Sequence, residues 1–284
     1  MTRAQQLSGD IQPPLGWQAK LELGFVRRPS KTVLQKISHQ GPLRVQRPFY
    51  PESEVPHVYL LHPPGGVVGG DRLDIRVDMA AASQALLTSP GSTKCYRSAG
   101  VRATLSQQLT LAEGASLEWF PQENIFFSGA RVRVETHINL AADARFMGWE
   151  INCMGRPESD EQFLTGEYAS RLQITRAGHP LLRECQRVNH RHALQSASGL
   201  RGHPIQALFI ATPCEASHLA ICRKILAQGG ASRTVAATLV DGVLLLRALG
   251  HQIEPLRQQL ILLWQALRPC LLARPAVAPR IWAT

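Results

Sequence analysis

The chain has 284 residues, enough to bury one sizeable core, and its 44% hydrophobic and 18% charged content excludes a generally disordered protein. It has no apolar run of the roughly 18 residues that a membrane helix needs, and the N-terminus MTRAQQLSGDIQPPLGW has no apolar core; neither a membrane span nor a secretory signal is expected, and the cytoplasm is the expected compartment. The net charge of +10 comes mostly from arginines scattered singly, without a helix-turn-helix, RRM or KH signature, which argues against nucleic acid and fits an acidic protein partner.

Residues 1–16 read as a loose N-terminus and 17–284 as one domain. Within it a β-rich body covers about 17–211 and a mixed helical part about 212–284. KLELGFV (20–26) and HVYLLH (57–62) read as strands. HPPGGVVGGDRLD (62–74) follows, with Gly65, Gly66, Gly69 and Gly70. A phosphate-binding loop would need a helix after it, or a terminal GK[ST]. Here the next segment, LDIRVDM (73–79), alternates with period two and reads as a strand. What remains is tightly folded backbone between two strands. Asp71 and Arg72 stand at its end, where a charged pair can stabilise the turn, orient the loop or line a passage.

QALLT (84–88) reads as a strand, and TSPGSTKCYRS (88–98) as a Ser-Pro-Gly turn. ATLSQQLTL (103–111) and SLEWF (116–120) are further strands, and in LEWFPQENIFFSGARV (117–132) Glu118, Glu123 and Asn124 can supply either oxygen ligands or a buried hydrogen-bond network. RVRVETHINL (131–140) alternates Val132, Val134, Thr136, Ile138 and Leu140 against charged and polar residues. RFMGWEINC (145–153), SRLQITR (170–176), LLRECQRV (181–188), IQALFIA (205–211), TVAATLV (234–240) and GVLLLRAL (242–249) complete the strands. LAEGAS (111–116), LAADAR (140–145) and RAGHP (176–180) look like short hairpin breaks. His190 and His192 could chelate if extended, but a solvated loop is the simpler reading. Two amphipathic helices are expected late, over 215–227 and 253–268, the second ended by Pro269.

The fold class is therefore mainly β, in stacked antiparallel or β-helical sheets with two late α-helices. The six cysteines lack a CxxC pair and read mostly as small core residues. No GxSxG, HExxH or other spaced catalytic motif is present.

HPPGGVVGGDRLDI (62–75), LLTSPGSTKCYRS (86–98), LEWFPQENIFFSGARV (117–132), GWEINCMGRP (148–157) and RPAVAPRIWAT (274–284), in that order, resemble the UreD (UreH) family of urease accessory proteins. The resemblance implies a β-helical body with two helices and no enzymatic activity. It implies binding to the urease apoprotein together with UreF, and to the GTPase UreG through UreF, with a dimeric arrangement of the accessory complex allowed. The cargo would be transient Ni²⁺, with no permanently bound cofactor. A carrier of so tightly ligated an ion needs weak oxygen ligands, because Ni²⁺ stands near the top of the divalent affinity order. Asp71 at the mouth of a wet passage, with Glu118, Glu123 and Glu150 along it and His62 beside the Gly-rich loop, are the residues expected to serve. The alternative is a β-rich protein with a dispersed enzymatic or nucleic-acid-binding site.

Overall fold

The computed structural model describes residues 16–189, 191–228 and 234–283. His190, the side chain of His192 and residues 1–15 lie outside them, and with them the NHRH reading and the loose N-terminus. In chain order the strands are β1 (Gln18–Arg27), β2 (Thr32–Gln40), β3 (Arg44–Val45), β4 (His57–Leu61), β5 (Arg72–Met79), β6 (Gln84–Thr88), β7 (Thr93–Cys95), β8 (Ala103–Leu111), β9 (Ser116–Phe120), β10 (Asn124–Phe126), β11 (Arg131–Leu140), β12 (Arg145–Arg156), β13 (Glu161–Gln162), β14 (Glu167–Arg176), β15 (His179–Val188), β16 (Ile205–Thr212), β17 (Val235–Val240) and β18 (Val243–Gly250). The helices are α1 (Arg191–Gln195), α2 (Ala216–Gln228) and α3 (Ile253–Leu272).

The first sheet has the order β15-β14-β11-β8-β5-β1-β2, and the second β17-β18-β16-β12-β9-β6-β4-β3. The chain winds between them. β5, β8 and β11 stack in parallel in the first sheet, and β6, β9 and β12 in the second. A third, short side stacks as well: Val67 bridges Cys95, and β7, β10 and the end of β12 pair in parallel. Val67, Cys95, Phe126 and Met154 thereby form a buried column. The protein is a β-helical coil, and the Gly-rich loop, the Ser-Pro-Gly turn and the FPQEN stretch are the same corner of successive coils.

The antiparallel expectation holds at the ends of the coil, where β2 pairs with β1, β15 with β14, and β16, β18 and β17 with one another. The middle is parallel. There each strand's partner arrives only one coil later, and the crossover that parallel pairing requires is a strand of the opposite sheet. LAEGAS and LAADAR are consequently not hairpins. They are corners between sheets, tied in a ladder by Ala112 N–H to the Met79 carbonyl (2.9 Å) and Ala141 N–H to the Leu111 carbonyl (2.8 Å). RAGHP is a true hairpin, with Ala177 and Gly178 at positive φ of 49° and 81°.

Inward-facing Leu73, Val77, Leu105, Leu109, Val134 and Ile138 meet Val58, Leu87, Leu117, Trp119 and Phe146 of the second sheet inside the coil. A second core lies outside it. There Leu86, Phe120, Trp149, Phe209 and Leu246 receive the α3 stripe Leu260, Leu263, Trp264 and Leu267. The second sheet is thus buried on both faces. α3 runs through Pro269 and ends where Ala273, at φ 53°, donates its N–H to the Pro269 carbonyl (3.1 Å). Pro269 therefore does not end the helix as its place in the sequence suggested.

Candidate functional site

A polar seam interrupts the apolar interior. On the first sheet Ile75 pairs with Gln107, Gln107 with Thr136, and Thr136 with Leu172, so all four share one inward row. Opposite them Glu150 points in from β12. The Thr136 hydroxyl donates to Glu150 Oε1 (2.9 Å), and Gln107 Oε1 lies 3.4 Å from the same hydroxyl. Next to it a chain of bonds runs from Asn124 Nδ2 to Asn152 Oδ1 (3.0 Å) and from Asn152 Nδ2 to the Tyr168 hydroxyl (3.0 Å). Burial raises the Glu150 carboxyl above the usual carboxylate range, although the Thr136 bond opposes the shift. Burial, reinforced by Glu150, also raises the Tyr168 phenol.

Two cavities lie on either side of this seam. The first, of about 340 Å³, is lined by His62, Gly65 and Gly66 of the Gly-rich loop, by the turn Ser89–Lys94, and by Gln107, Gln122 and Asn124. The second, of about 370 Å³, is lined by Asn152, Tyr168, Ser170, Glu184, Gln186, Gln206 and Arg247. Glu150 lines both. At the second cavity the Gln186 and Gln206 amides pair with each other, and Arg247 pairs with Glu184. Burial lowers His62 below the ordinary imidazole range, against the opposing pull of Asp71, so its ring is neutral at pH 7 and able to ligate.

Of the expected residues, Glu150, His62, Gly65 and Gly66 come together here. Asp71 does not line either cavity. Only 6% exposed, it accepts the N–H groups of Trp17 (2.8 Å) and Val68 (2.8 Å) and so fixes the loop. Arg72 turns to Asp74 (2.8 Å), so the expected Asp71–Arg72 pair does not form. Gly69 packs where a Cβ would meet Val101 O at 2.7 Å, and Gly70 stands at φ 93°. Glu118 faces away from the coil interior, into the α3 interface, where the hydrogen-bond-network reading of that segment holds. Glu123 also lies off the cavities, its Oε2 3.8 Å from the Arg257 guanidinium in a salt bridge and without a hydrogen bond. Its neighbours Gln122 and Asn124 face the first cavity instead.

Two effects on the loop follow. A Cβ at Gly66 would lie 2.6 Å from the Lys94 carbonyl and 2.4 Å from the Tyr96 ring, so Gly66→Ala is expected to cost about 1–3 kcal/mol in denaturant unfolding. Asp71→Ala orphans two amides and is expected to cost roughly 1–3 kcal/mol, while a thermal melt of Asp71→Asn, which retains an acceptor oxygen, should fall between.

Gln107, Thr136, Asn152 and Tyr168 escaped sequence reasoning as site residues. A signal was available: Gln107 and Thr136 sit on the otherwise apolar faces of ATLSQQLTL and RVRVETHINL. The repeated corner L-A-x-x-A, at 111–115 and 140–144, also marks the coil period. Among the described residues no group of three His, Cys, Asp or Glu side chains could hold a metal ion. Burial pushes the thiols of Cys95, Cys153 and Cys214 up to about 12, which keeps them protonated and poor as ligands.

The family model of the UreD urease accessory protein matches residues 18–283. The chain is 50% identical over 273 residues to a urease accessory protein UreD of Alcanivorax borkumensis, covering 95% of this chain and 93% of that one. It is 44% identical to the protein of that name from Pseudomonas putida GB-1, over the full length of both. A third relative of the same name, from Citrobacter koseri, is 44% identical over 271 residues, 95% of this chain and 92% of its own.

Proposed function

Since the chain belongs to the UreD urease accessory protein family, we propose that it is a non-enzymatic scaffold that binds the urease apoprotein together with UreF, and UreG through UreF, and passes Ni²⁺ to the urease active site along its own interior. The observation that carries this reading is that the buried Glu150 lines both of two neighbouring cavities. The route offers a carboxylate, hydroxyls and amide oxygens, with the neutral imidazole of His62 beside the Gly-rich loop. Such donors exchange a divalent ion faster than thiolate cages, and they suit a carrier that must release its cargo. Tightly bound cofactors have no place in this scheme, and the expected compartment is the cytoplasm. Among the described residues no helix is long and apolar enough to cross a membrane.

Coexpression of urease subunits with UreF and UreG, with and without this chain, tests the role. Nickel content and urease activity should both collapse without it. Normal nickel content in its absence would overturn the proposal.

A further inference from the structure

The antiparallel pairing of β16 with β18 sets Ile205 opposite Gly250, which brings His203, just before β16, beside His251, just after β18. Their ring centroids lie 4.5 Å apart with the planes tilted by 50°. Two imidazoles bound to one ion at right angles, with metal–nitrogen distances near 2.0–2.1 Å, place their ring centres roughly 4.5 Å apart. His203 Nδ1 is buried and has no hydrogen-bond partner, which is a cost unless something occupies it. Both rings line a cavity of about 440 Å³ that also holds Asp160 and Glu161. Glu161 is committed to the Ser128 amide (2.9 Å) and to Arg156, whereas Asp160 is exposed at the rim of the same cavity.

The geometry points to a surface site for a divalent first-row transition ion, with His203 and His251 as its protein ligands and water in the remaining positions. Imidazole donors select ions such as Ni²⁺, Cu²⁺ or Zn²⁺ over Mg²⁺ and Ca²⁺. Arg201 lies two residues from His203. The positive charge of Arg201 acts against a cation, and the carboxylates of Asp160 and Glu161 in the same cavity act for it. With only two protein ligands the site holds an ion loosely. It is separate from Glu150: His203 and His251 line a different cavity. Its existence does not depend on how nickel crosses the coil.

Calorimetric titration of the full chain with NiCl₂, then ZnCl₂, with MgCl₂ as control, tests the site. The expected result is transition-ion binding that weakens by on the order of tenfold or more in both His203→Ala and His251→Ala, given that losing even a residue behind a ligand commonly costs 10–100-fold. Glu150→Gln should keep this binding and Mg²⁺ should show none. His251 is exposed, so its replacement leaves the fold intact and decides the matter. Unchanged Ni²⁺ affinity in His251→Ala would overturn the assignment. So would X-ray absorption of the nickel-loaded chain that shows no imidazole scattering.

Discussion

Glu150→Gln is expected to leave the chain folded and bound to its partners while urease coexpressed with it receives markedly less nickel. The substitution preserves size and keeps an acceptor for the Thr136 hydroxyl, 2.9 Å away in the native chain. It removes the carboxylate that lines both cavities. Glu150→Ala should load no better than Glu150→Gln. Nickel per urease active site, measured alongside a pull-down of the complex, separates loss of transfer from loss of assembly. Equal nickel content in wild type and both variants would remove Glu150 from the route.

The same carboxyl carries a pH signature. Its pKa is raised in the folded state above the ordinary 4.5, so the native chain binds more protons than the unfolded chain between the two values. Its contribution to stability is therefore complete below the unfolded pKa. It is lost as pH rises through the folded pKa. Thermal melts across that window should show wild type losing stability relative to Glu150→Gln as pH increases. Nickel transfer should follow the opposite slope, because the protonated acid is a poor ligand and the carboxylate is the binding form.

Arg268→Ala should produce the largest loss of stability of any single change considered. Arg268 is fully buried, and Glu118 is 2% exposed. The guanidinium holds both oxygens of Glu118 at 2.9 to 3.1 Å and Glu52 at 2.7 Å, and Glu52 in turn pairs with His57 at 2.7 Å. Trp264 donates its indole N–H to Glu118 at 2.6 Å, and Arg268 also binds the Pro275 carbonyl. Burial alone would weaken the Arg268 charge, but Glu118 and Glu52 outweigh it and raise its pKa. Removing the cation leaves two buried carboxylates facing each other, a loss of about 3–5 kcal/mol. Denaturant unfolding measures it. Hydrogen exchange should show α3 and the terminal segment loosening first, because Pro275 and Trp282, whose indole donates to Thr88 at 3.0 Å, are held at the same place. The double change Glu118→Met with Arg268→Met should cost less than Arg268→Ala, since it removes one carboxylate along with the cation and leaves only Glu52, which keeps His57 as a partner. An equal or larger loss in the double variant would show that packing, not charge, dominates there.

Much of the fold was legible from the chain. The strand segments follow from period-two alternation, and α2 and α3 from their apolar stripes. The short β7 and β10 carry too few residues to show a period, and β2 alternates weakly because six of its nine residues are exposed. Sequence alone determined that this is a β-rich chain with two late helices and a Gly-rich corner unfit for phosphate. The resemblance carried by five ordered motifs supplied the family.

Only the tertiary structure decided that the strands stack in parallel coils, because pairing across one coil is invisible to local pattern. It also decided which carboxylate enters the interior. β9 is buried at all five positions and β12 at nine of twelve, with apolar neighbours on both faces. Alternation separates wet from dry only where one face meets water. In a sheet covered on both sides, Glu118 and Glu150 look alike in sequence. Register then sends Glu118 outward to Arg268 and Glu150 inward to the cavities.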